Sequence, residues 1–83
     1  MNPIDELTKF SLCENAAIIS TANKALKYNS EYHLNLISHE EFEELMQDLV
    51  SEKNLARFAD DLETQAKIEQ AITALILIAK VAS

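Results

Sequence analysis

No glycine occurs among the 83 residues, and the only proline stands at position 3. These two absences constrain the chain more than any motif in it. Tight β-hairpins rely on Asn-Gly, Asp-Gly or Gly-X turns, and none can be written here. Nothing after position 3 forces a helix to break. Most positions carry Ala, Leu, Ile, Glu, Lys or Gln, residues that lose little on entering a helix. A helix end that needs a left-handed residue must use asparagine, for which Asn29, Asn35 and Asn54 are the candidates. The expected fold is therefore all-α, a helical hairpin or three-helix bundle forming one domain over residues 1–83.

A chain of this length closes a small core and needs good helix packing, a staple or assembly with other copies. The single cysteine, Cys13, excludes an internal disulfide and fits a reducing compartment. Assembly as a homo-oligomer is the remaining expectation. The formal net charge of −7 repels nucleic-acid phosphates and anionic membranes, so neither is expected as a direct partner. It suits a basic protein or a second copy. Met1 to Phe10 contains Asp5 and Glu6 rather than a basic stretch leading into an apolar one, so no signal peptide is expected and the location reads as cytoplasmic.

Three acidic-to-basic gradients divide the sequence: Asp5 and Glu6 to Lys24 and Lys27, Glu40 to Glu44 to Lys53, and Asp60 to Glu63 to Lys80. Helices favour carboxylates at their N-terminus and cations at their C-terminus, so three helices are expected, over about 3–30, 39–52 and 55–82. In the first, Asn2 would cap and Pro3 would open the helix. Ile4, Leu7, Leu12, Ile18, Ile19, Ala22, Ala25 and Leu26 then share its apolar side. Tyr28 to Ile37 would connect, with Tyr32, Leu34 and Leu36 covering a helix end. In the second helix, Ser38 and Glu41 spell a capping box, and Ile37 and Phe42 occupy the positions of a hydrophobic staple. Phe42, Leu45, Met46 and Leu49 make its stripe. Whether residues 51–82 form one helix or two stays open, although Leu55 with Phe58 and Asp60 with Glu63 mark a helical turn and a cap.

The last helix changes character along its length. Ile68, Ala71, Ile72, Leu75, Ile76 and Ala79 make one apolar face, and Glu63, Lys67 and Gln70 make the opposite side polar. Beyond Thr73 that polarity fails: Ala74, Leu77 and Val81 take over the polar side, and Ala74 to Ala79 holds no polar side chain. A helix apolar all round is normally buried all round, which a monomer this small can hardly achieve. Ala74, Leu77 and Val81 are thus the expected interface. Together with Phe42, Leu45, Leu49, Ile68, Ile72 and Leu75 they would form the core and assembly surface. The apolar run Ala71 to Val81 covers 11 residues, against the roughly 20 a bilayer span requires.

The chemistry-bearing residues form no motif. Glu40, Glu44 and Asp48 repeat every four residues and line up as an acidic face, which reads as a solvated surface or as a site for a basic protein. His39 and Glu43 are four apart, yet with His33 they match neither His-Glu-x-x-His nor Glu-x-x-His, so no metal or cofactor is expected. Cys13 lies off the apolar stripe near Lys9 and Lys24, with no base placed to activate it. Arg57, Lys53 and Lys67 are interleaved with acids, unlike a recognition helix. No catalytic residues and no enzymatic activity are expected.

Ser38-His39-Glu40-Glu41-Phe42-Glu43-Glu44-Leu45-Met46 and Ala59-Asp60-Asp61-Leu62-Glu63 resemble stretches of small all-helical proteins encoded by bacteriophages, over roughly the second half of the chain. The resemblance implies a structural or assembly accessory protein, acting in the cytoplasm of a bacterial host or carried in the virion, and transfers no functional residue. The leading expectation is a non-enzymatic protein that self-associates or docks on another protein through its C-terminal helix. The alternative is a small acidic inhibitor that holds a basic, nucleic-acid-handling host protein through Glu40, Glu44 and Asp48.

Overall fold

A computed structural model describes residues 2–12, 15–51, 54 and 62–82. Four helices appear among them: α1 (Pro3–Phe10), α2 (Ala16–His33), α3 (His39–Leu49) and α4 (Leu62–Ala82). No strand occurs among the described residues, and the fold is all-α as the missing turn residues require. Neighbours in sequence pack as neighbours in space. α1 lies against α2 and α4, α3 lies against α2 and α4, and α2 touches α4 less than it touches α1 or α3. The helices thus close a circuit around one core.

The first helix expected over 3–30 is two helices. Asn2 caps α1 as foreseen, its side-chain oxygen accepting from the Ile4 N–H at 2.8 Å. Ser11 ends α1, donating its backbone N–H to Leu7 O at 3.0 Å and its hydroxyl to Thr8 O at 2.7 Å. Asn15 then starts α2, accepting from the N–H groups of Ala17 and Ile18 at 2.9 and 3.3 Å. Asparagine competes with the helix for its own N–H groups, which favours it at caps over interiors. The break removes Leu12 from the stripe, and its side chain is 81% exposed. The charge gradient from Asp5 to Lys27 therefore spans two elements.

α2 ends on a left-handed residue. Asn35, at φ 61°, is the only non-glycine residue with positive φ among those described. Around it Leu36 N–H donates to Glu31 O at 2.9 Å and Asn35 N–H to Tyr32 O at 3.1 Å, the two bonds of a Schellman motif. Asn29 lies inside α2. Asn54 instead donates its side-chain amide to Asp48 O beyond the end of α3.

The start of α3 is as expected. Glu41 N–H donates to Ser38 Oγ at 3.1 Å and Ser38 N–H to Glu41 Oε1 at 3.2 Å. Ile37 packs against the core that contains Phe42. The helix closes at Leu49 rather than near residue 52. The start of a helix at 55, the turn at Leu55 and Phe58, the cap at Asp60, and the choice between one helix and two over 51–82 lie outside the described residues.

One apolar cluster forms the core: Leu7 from α1, Ile18, Ala22 and Ala25 from α2, Phe42, Met46 and Leu49 from α3, and Ile68, Ala71, Ile72, Leu75 and Ala79 from α4. Small residues on α2 allow close approach, and Phe42 and Met46 fill the volume. Among the described residues no buried side-chain nitrogen or oxygen lacks a hydrogen-bond partner. The Cα radius of gyration is 12.0 Å, close to the value of about 12 Å expected of a compact chain this long. A single copy therefore closes its own core.

Candidate interaction surface

α4 is 21 residues long, about 31 Å at 1.5 Å per residue. Its buried residues Ile68, Ala71, Ile72, Leu75 and Ala79 follow helical spacing and point to one side. Leu77 projects directly opposite the centre of that stripe. Its side chain is 56% exposed, and Val81, one turn further on, is 86% exposed. Ala74 is half-buried: α1 reaches it, and Pro3, Glu6, Lys67, Gln70, Ala71 and Ala74 line a groove of about 240 Å³ between the two helices. The cover that α1 supplies reaches Ala74 and leaves Leu77 and Val81 exposed.

A fourth residue belongs to this surface and was not foreseen. Ile78 is 53% exposed. It sits in the run without polar side chains, on the boundary between the two apolar faces, where periodicity assigns it to neither. Ala74, Leu77, Ile78 and Val81 stand at i, i+3, i+4 and i+7, the spacing by which one helix presents a seam to another. On the same outward side, nearer the N-terminus, Ala66, Glu69, Gln70, Thr73, Ala74 and Leu77 line a shallow hollow of about 490 Å³. The helix thus carries exposed apolar side chains in its last turns, and Leu77 also forms one wall of the hollow. An ion pair between Lys67 and Glu63, 3.2 Å long and largely solvent-exposed, stands beside the groove between α1 and α4 that Lys67 lines.

The acidic face lies elsewhere. Glu40, Glu44 and Asp48 are exposed on α3, away from its buried Phe42, Met46 and Leu49. Glu41, Glu44, Leu45 and Asp48 line a concavity of about 370 Å³. Leu45, expected in the core, is only half-buried because it sits at the rim between core and acidic side.

His39 is occupied within the fold. Its Nδ1 lies 3.3 Å from the Tyr32 hydroxyl and its Nε2 lies 3.7 Å from Glu43 Oε2, a contact that becomes an ion pair when the ring is protonated. Tyr28 and Tyr32, expected in the connector, lie inside α2, which runs to His33 and shortens the link to residues 34–38. From the last turn of α2 Tyr32 still covers the start of α3, whereas Leu34 and Leu36 are exposed. His33 is exposed at the end of α2. No group of three His, Cys, Asp or Glu residues able to hold a metal ion occurs among the described residues. Cys13 lies outside them. No described helix is long and apolar enough to cross a membrane.

No protein-family model matches the chain, and no curated protein or solved structure matches it.

Proposed function

We propose that this chain is a non-enzymatic interaction protein whose association surface is the outward face of α4: Ala74, Leu77, Ile78 and Val81. One observation carries the reading. Three large apolar side chains are exposed on consecutive turns of a helix whose other side already fills the core. Isolated exposed apolar residues are ordinary on protein surfaces, whereas a contiguous patch marks a place of contact. Completing the burial of such side chains contributes about 1.5–3 kcal/mol for a fully exposed one, and roughly half of that for Leu77 and Ile78. The resemblance to phage-encoded proteins accords with an accessory role in an assembly, because such a role requires contact rather than catalysis.

The test is light scattering over a range of concentrations. The wild-type chain should gain mass as concentration rises. Leu77→Asp should hold the monomer mass throughout, with unchanged helical circular dichroism. A wild-type chain that stays monomeric at every concentration overturns self-association through this face.

The acidic concavity on α3 favours a second reading, in which a basic protein docks against Glu40, Glu44 and Asp48. Reversing those three charges would abolish such docking and leave association through α4 intact.

A further inference from the structure

We draw no further inference here: the strongest candidate, the exposed apolar patch of Leu77, Ile78 and Val81 on the outward face of α4, belongs to the association surface already proposed, and nothing in the structure shows what covers it.

Discussion

The ring of Tyr32 lies stacked on the ring of Phe42, with centroids 4.7 Å apart and planes 19° from parallel. This contact joins the last turn of α2 to the first turn of α3 across the Schellman turn at Asn35. Phe42 is fully buried, and Tyr32 also lies 3.3 Å from His39 through its hydroxyl. Phe42→Ala should cost about 3–5 kcal/mol, enough to unfold a domain this small. Tyr32→Leu should cost about 1–2 kcal/mol, from the lost ring pair and hydrogen bond. Urea denaturation of both variants checks the order. Equal losses would show that the stacked pair is not the joint between these helices.

The turn itself makes a separate prediction. Asn35 holds φ 61°, a conformation costly for residues with a branched side chain and free for glycine. Asn35→Val should destabilise by about 1–2 kcal/mol, whereas Asn35→Gly should stay within about 0.5 kcal/mol of wild type. Thermal denaturation of the pair decides it, and a Val variant as stable as the Gly variant would contradict the turn.

Caps provide the third test. Ser38→Ala removes one half of the capping box and Asn15→Ala removes the acceptor that starts α2. Each should cost about 0.5–2 kcal/mol, with Asn15→Ser recovering most of its loss. If Asn15→Ala leaves stability unchanged, the division between α1 and α2 does not depend on that side chain.

The two faces of α4 should separate in their response to truncation. Ile72→Ala opens a cavity in the core and should cost about 2–5 kcal/mol in dilute monomer. Leu77→Ala, on the exposed face, should change dilute stability by less than about 0.5 kcal/mol while weakening association. Chemical denaturation at low concentration, set beside light scattering at high concentration, distinguishes the two effects. Substantial loss of dilute stability in Leu77→Ala would mean that the outer face contributes to the monomer fold.

The start of α3 was legible in the sequence because its cap is local: Ser38 and Glu41 specify it within one turn. The core side of α4 was legible because Ile68, Ile72, Leu75 and Ala79 keep a single period. The division at Ser11 to Asn15 was not. No glycine or proline marks it, and the apolar period continues through Leu12 as though the helix did too. The available signal was Asn15 directly before Ala-Ala-Ile-Ile, a cap followed by an apolar run. Ile78 was missed for the opposite reason. In a stretch where every side chain is apolar, period alone does not say which residue meets water, and only the positions of α1 and α3 decide it.

A core that closes within one copy, beside an unfilled seam on the last helix, has a consequence for regulation. A chain that folds only on pairing has no stable single form, and its abundance affects yield alone. Here the described helices already bury one core within a single copy, so the association proposed through α4 makes the amount of protein present the variable that selects between two states. With a net charge of −7 on each copy, ionic strength adjusts the threshold: added salt screens the mutual repulsion of the copies and lets pairing begin at lower abundance.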